Sequence, residues 1–287
     1  MEITHIYPSD YGKHNLSPLL EIPQPPKELW YKGTLPPEGI TLLAVVGSRQ
    51  YTTYGKQALD YLIDGLRDYP IGIVSGLALG IDALAHEAAL RNNLYTLAIP
   101  GSGLGAVAPA TNRGLAERIL EQNGGLLSEL SPETGAAKWT FPSRNRIIAG
   151  LCKGTLLVEA GEKSGTLITA RMTVDYNREL LAIPGSIFSK NSYGTHQFLK
   201  LGATMVPEPL DILYALGIEP VKPTVRETEV TLSADEKLVI SILSEPRDKD
   251  VLLRQIPLPV SEANILLMNM EMQGYIAYDS PHYRSLI

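Results

Sequence analysis

An α/β fold built on a mostly parallel, doubly wound sheet is what this chain predicts, with a small separate module behind it. Three observations lead there. From Thr41 on, short apolar runs that end in glycine alternate with longer segments of helical period. Those runs are continuously apolar, so both of their faces are covered, as in a parallel sheet flanked by helices. Past residue 218 the composition shifts to proline and alternating charge before a new pattern starts. Right-handed crossovers then make the first part an extended Rossmann-like domain.

Residues 1–40 come first, and their proline density (Pro8, Pro23, Pro25, Pro26, Pro36, Pro37) excludes a long helix or a central strand. Leu19, Leu29, Trp30 and Tyr31 make this an extended arm that packs on the following domain. Residues 41–217 carry the alternation, with strands expected at 42–46, 71–74, 94–99, 126–130, 155–158, 179–183 and 204–206. Helices are expected between them at 55–68, 79–92, 112–122, 143–151, 166–178, 194–201 and 209–217. Residues 218–231, with Pro220 and Pro223, are a linker. In 232–287, Ser233 and Glu236 form a capping box, a second helix spans 249–255, and Ser261 caps a third that stops at Gly274. Two short strands around Ser280-Pro281 complete a winged-helix-like order.

Bulk numbers narrow the function. The chain has 287 residues, 44% hydrophobic, with a net charge of −6, so any anion site is local rather than spread over the surface. One cysteine, Cys152, excludes an internal disulfide framework and a cysteine-based zinc site. No stretch approaches the about 20 apolar residues of a membrane span, and residues 1–10 lack the apolar run of a signal peptide. A cytoplasmic protein without membrane attachment is the expectation.

Several motifs fall where strands end. Gly47-Ser48-Arg49 follows the first strand, where glycine lets a phosphate approach the backbone and arginine clamps it with two N–H groups. A plain turn with a surface arginine is the competing reading. Glu159-Ala160-Gly161-Glu162-Lys163-Ser164-Gly165-Thr166 precedes a helix, and Gly161, Ser164, Gly165 and Thr166 can form an anion nest. Neither motif is a dinucleotide Gly-x-Gly-x-x-Gly or a Walker A loop, so no cofactor is expected. Lys138, Trp139, Phe141, Arg144, Asn145 and Arg146 gather in a stretch read as a loop after the fourth strand. Cations beside aromatic faces are what sequence-tolerant single-strand binding uses.

Asp82 and His86, four apart on a helix, form either an acid–base or metal pair, or a helix-capping carboxylate and a surface or core histidine. Ala98-Ile99-Pro100-Gly101-Ser102 repeats as Ala182-Ile183-Pro184-Gly185-Ser186. Either strands of one sheet end alike, or both loops line one crevice. No nucleophile elbow, histidine cluster or paired-acid motif is legible, so no catalytic or metal-ligating residue is assigned.

Taken together, these residues resemble the DNA processing protein A (DprA/Smf) family. The resemblance rests on Val46-Gly47-Ser48-Arg49 with Tyr54-Gly55, Ser75-Gly76 with Gly80-Ile81-Asp82 and Ala85-His86, and Phe141-Pro142-x-Arg144-Asn145-Arg146-Ile147-Ile148-Ala149-Gly150. Glu159-Ala160 with Ser164-Gly165-Thr166-Leu167-x-Thr169-Ala170 and the arm extend it over roughly residues 5–217. It implies a non-enzymatic protein that binds single-stranded DNA, forms a homodimer and loads the RecA recombinase in natural transformation. Arg49 and Lys138 would then be the principal phosphate contacts, with Arg144, Asn145 and Arg146 shaping the pocket. Two departures stand out: Ala108 where the family usually shows tyrosine, and no helical N-terminal domain ahead of the arm.

The rival is the lysine-decarboxylase-like nucleotide phosphoribohydrolase family, which pairs an early Gly-Ser-Arg with a Gly-rich loop. That family carries a glutamate three residues after the loop threonine, where this chain has Thr169. From residue 230 on, five Lys/Arg face eight Asp/Glu, a net of −3, and the third helix holds Glu262 and Glu271 but no base. Phosphate contacts dominate duplex affinity, so this module is expected to dock a protein or support a dimer instead of reading duplex DNA.

Overall fold

The computed structural model describes residues 2–220, 232–279 and 282–285. The expected linker lies outside these residues from position 221 on, as does the Ser280-Pro281 turn. The chain divides after Pro220 into two compact units.

In the first unit, β1 (Thr4–Ile6) and β2 (Leu29–Gly33) precede β3 (Thr41–Val46), α1 (Thr53–Asp64), β4 (Ile71–Ser75) and α2 (Ile81–Arg91). Then come β5 (Tyr95–Ala98), α3 (Arg113–Glu121), β6 (Gly125–Ser128), α4 (Thr140–Leu151) and β7 (Gly154–Leu157). The unit closes with α5 (Thr166–Asp175), β8 (Glu179–Ala182), α6 (Tyr193–Lys200), β9 (Thr204–Met205) and α7 (Pro209–Ala215). The sheet order is β1-β2-β6-β5-β4-β3-β7-β8-β9, parallel from β6 to β9. From β3 the chain winds outward through β4, β5 and β6, then returns to lay β7 on the other side of β3. That reversal is the point where ligands bind in open α/β sheets.

Strand period explains the two cores. Leu42, Ala44 and Val46 join the cluster formed with Ile147, Ile148 and Leu151 of α4. Leu43 and Val45 face the opposite cluster with Leu59, Leu62 and Ile63 of α1 and Ala85 and Ala88 of α2.

Two sequence expectations change. Residues 1–40 do pack on the core, but as part of the sheet: β2 pairs antiparallel with β6, and β1 pairs with β2. The prolines flank this strand without interrupting it, so its N–H groups remain available to the ladder. Between the two strands, 3₁₀ turns bury Tyr11, Leu16 and Leu19 completely against the α4 side. Each such leucine contributes about 1.5–3 kcal/mol. Second, the helix expected at 143–151 begins earlier, at Thr140, and takes in Phe141 and Pro142 of the stretch read as a loop; Pro142 sits in the first turn, where no intrahelical N–H donor is required.

The second unit contains α8 (Ala234–Ile242), β10 (Arg247–Asp248), α9 (Lys249–Gln255), α10 (Val260–Met272), β11 (Ile276–Asp279) and β12 (His282–Ser285). The Ser233 capping box forms as read: Ser233 Oγ accepts from Glu236 N at 3.2 Å, and Glu236 Oε2 accepts from Ser233 N at 2.7 Å. The third helix starts earlier than read, with Pro259 and not Ser261 at its N-cap. β10 pairs with β12, which makes the hairpin a three-stranded antiparallel sheet. Two residues are too short a strand to show period in sequence. The helices and this sheet enclose a small core of Val239, Leu252, Leu267, Met270 and Ile276, a winged-helix-like arrangement.

Candidate nucleic-acid interface

At the carboxyl edge of β3 and β7 lies a cleft of about 640 Å³. Its walls include Gly47, Ser48 and Arg49 after β3, and Gly161, Lys163, Ser164, Gly165 and Thr166 after β7. Phe141, Arg144 and Asn145 of α4 form a further side, with Asp82 of α2 beneath. The first turns of α2, α4 and α5 all reach this cleft. Their aligned peptide dipoles add positive potential to that of Arg49 and Lys163.

Local hydrogen bonds set the shape. Ser48 Oγ donates to Gln50 O at 2.9 Å and accepts from Gln50 N at 3.0 Å, which curls the turn after β3. Thr166 Oγ1 donates to Gly47 O at 3.0 Å, so the β7–α5 loop is fastened to the β3 turn. Gly47 must lack a side chain, since a Cβ there would sit 2.7 Å from the Ile81 side chain. The Arg49 guanidinium lies over the Phe141 ring, 5.5 Å from its centroid. Gly101 backs the same ring from the β5 loop.

Arg144 is nine-tenths buried. It donates from Nη1 to Gly76 O at 2.6 Å and to Ile99 O, and from Nε to Asn145 Oδ1 at 3.2 Å. Burial lowers its guanidinium to about 10, opposed by the nearby Asp82 charge. Asp82 accepts from Gly76 N at 3.1 Å, and burial raises its carboxyl against the pull of Arg144. His86 is buried with Nδ1 2.7 Å from Thr96 Oγ1, and burial drives it down to about 3. His86 is a core histidine, but Asp82 does not cap α2: Gly80 holds the N-cap position without a side-chain cap, and the Asp82 carboxylate is taken up by the loop after β4. Among the described residues no group of three or more His, Cys, Asp or Glu is arranged to hold a metal.

Ten of the twelve residues expected at the site line the cleft; two do not. Arg146 points the other way and pairs with Glu129. Lys138 is exposed just ahead of α4. Lys163 and Asn191 line the cleft although neither was singled out from the sequence. Asn191 reaches it by donating from Nδ2 to Gln50 O at 2.7 Å. The repeated pentapeptides do not share a crevice. The first supports Phe141 through Gly101, whereas Pro184, Gly185 and Ser186 line a separate cleft with Thr52, Tyr54 and Glu159.

Residues 3–217 match the family model described as DNA recombination-mediator protein A. The chain belongs to the DprA/Smf family. Protein Smf of Escherichia coli (strain K12) is 36% identical over 282 residues, covering 95% of this chain and 75% of that protein. DNA processing protein DprA of Streptococcus pneumoniae is 42% identical over 195 residues, 68% of each. An X-ray structure of S. pneumoniae DprA matches with a TM-score of 0.70 and 39% identity over 75% of this chain and 74% of that one. DprA from Helicobacter pylori, a protein with a single-stranded DNA binding mode, matches with a TM-score of 0.65 and 27% identity. That match covers 75% of this chain and 96% of the H. pylori chain. As a DprA/Smf member, this chain is a DNA processing protein. Among its described residues no helix is long and apolar enough to cross a membrane.

Proposed function

We propose that this DprA/Smf protein binds single-stranded DNA in the cleft between Arg49, Phe141 and the Gly161–Thr166 loop, and that it does so without turnover chemistry. The observation that carries the reading is the Arg49–Phe141 pair at the cleft mouth. It sets a phosphate clamp against an aromatic ring beside three helix N-termini, so that Arg49 can turn to a phosphate and leave the face it covers to a base. Gly47, Ser48, Gly161, Ser164, Gly165 and Thr166 supply close backbone approach. Lys163 adds a second cation, and Lys138 takes a flanking phosphate. Arg144, Asn145 and Arg146 act by holding α4 in place.

The phosphoribohydrolase alternative needs a carboxylate free to act on the substrate. Position 169 is a buried threonine, and the cleft carboxylate, Asp82, already accepts backbone N–H bonds. From the family resemblance follow two partners: RecA, loaded on the bound strand in natural transformation, and a second copy of the chain. The surface along α6 suits the latter, with Ile187 80% and Phe188 91% exposed beside Tyr193 and Leu201.

Fluorescence anisotropy with labelled single-stranded DNA tests the reading. Binding should survive mononucleotide competitors and weaken strongly in Phe141→Ala, by about 1–3 kcal/mol for a lost base stack. Equal competition by duplex DNA, or release of free base from nucleoside monophosphates, would overturn it.

A further inference from the structure

α10 is the third helix of a winged-helix-like module, yet its outward face is wrong for duplex DNA. Ile265, Met268 and Met272 recur at intervals of three and four residues, so they form one ridge along the helix. They are 61%, 63% and 78% exposed, while Ala263, Leu267 and Met270 fill the core behind. Helical geometry at about 100° per residue puts Glu262 and Asn269 along one flank of the ridge and Glu271 and Asn264 along the other. No lysine or arginine lies on the helix.

We infer that this ridge docks a basic amphipathic helix of a partner protein. Methionine is unbranched and polarizable, and it suits apolar surfaces that receive helices of varied sequence. The carboxylates on both flanks select positive charge on the incoming helix and set its register. The same carboxylates disfavour the other occupants. A nucleic acid or an anionic membrane meets Glu262 and Glu271 at once. A second copy laid antiparallel brings four carboxylates and no base around one seam. The inference concerns the second unit and stands apart from the single-strand reading of the cleft.

The test uses the full chain and a fluorescein-labelled amphipathic Leu/Lys helical peptide, with a Leu/Glu peptide of the same pattern and a scrambled Leu/Lys peptide as controls. The amphipathic basic peptide should bind best. Ile265→Ser with Met268→Ser should weaken it by at least about tenfold, the effect of leaving two apolar side chains unburied. Glu262→Gln with Glu271→Gln should weaken it and flatten its salt dependence. All four positions are on the exposed face, and unchanged single-strand binding with unchanged circular dichroism establishes that each variant folds. Equal binding of the scrambled peptide, or insensitivity to the Ser substitutions, would overturn the inference. So would a self-association or a duplex affinity that these substitutions abolish, since either names a different occupant.

Discussion

Arg144 Nη1 donates to the Gly76 carbonyl at 2.6 Å, and its guanidinium covers the space a side chain on residue 76 would need. The same nitrogen donates to Ile99 O, so one side chain of α4 ties the ends of β4 and β5 together. Removing it orphans two carbonyls and takes from buried Asp82 the larger of its two counter-charges, leaving only Arg49. Arg144→Ala is therefore expected to cost about 3–5 kcal/mol, read from urea unfolding. Arg144→Lys should recover only part, because an ammonium lacks the planar fork. A loss under about 1 kcal/mol for the alanine variant would mean the cross-tie is dispensable.

Cations at the rim behave differently. Arg49→Ala, Lys163→Ala and Lys138→Ala should each lower the salt slope of single-strand binding by about one and leave unfolding midpoints unchanged. Arg146→Ala should do the reverse, since its partner is Glu129. Salt titrations of the four variants separate the two classes, and a lowered slope in Arg146→Ala would reassign that residue to the cleft.

His86 makes stability depend on pH. Burial holds it near 3 in the folded chain, against about 6.5 in the unfolded chain. Between those values the unfolded state binds a proton that the folded state does not. The stability is fully present above about pH 6.5 and falls with pH, by up to about 1.4 kcal/mol per unit. His86→Asn should accordingly lose stability less steeply than the parent on going from neutral to acid. Parallel urea midpoints across that range would show that His86 titrates normally.

Glu159 anchors the turn into α1. Its two oxygens accept from Thr52 N at 2.9 Å and Thr52 Oγ1 at 2.6 Å. A Cβ on Gly55 would lie 2.5 Å from the Glu159 carboxyl carbon. Gly55→Ala is expected to lower stability by about 1–3 kcal/mol, visible as a lower melting temperature. An unchanged melting temperature would show that the carboxylate can move aside without cost.

The Gly47–Arg49 turn and the Gly161–Thr166 loop were legible because glycine and small polar residues at the end of an apolar run have a local meaning: a strand ends there and a helix starts. The α4 face was not. A helix is expected from 143, but its first residues group with the preceding loop, which assigns both Arg144 and Arg146 to the site; on a helix, two residues are about 200° apart, so the two arginines face opposite ways. Pro142 hid the helix start, because proline reads as a breaker everywhere except in the first turn. Lys163 lay inside a motif that was recognised, yet nothing nearby in sequence distinguished it from a solvated lysine.

By itself, the sequence determined the strand and helix alternation, the parallel class of the sheet and the sheet edge at which the cleft lies. These depend on apolar period and turn chemistry, which act over a few residues. Only the tertiary structure decided that β7 lies beside β3, because strand order is set by long-range packing that no local pattern encodes. That adjacency brings Lys163 and Asn191 to Arg49. It also decided which cations are free, since Arg144 and Arg146 meet the carbonyls and carboxylate that hold them only when α4 docks on the sheet.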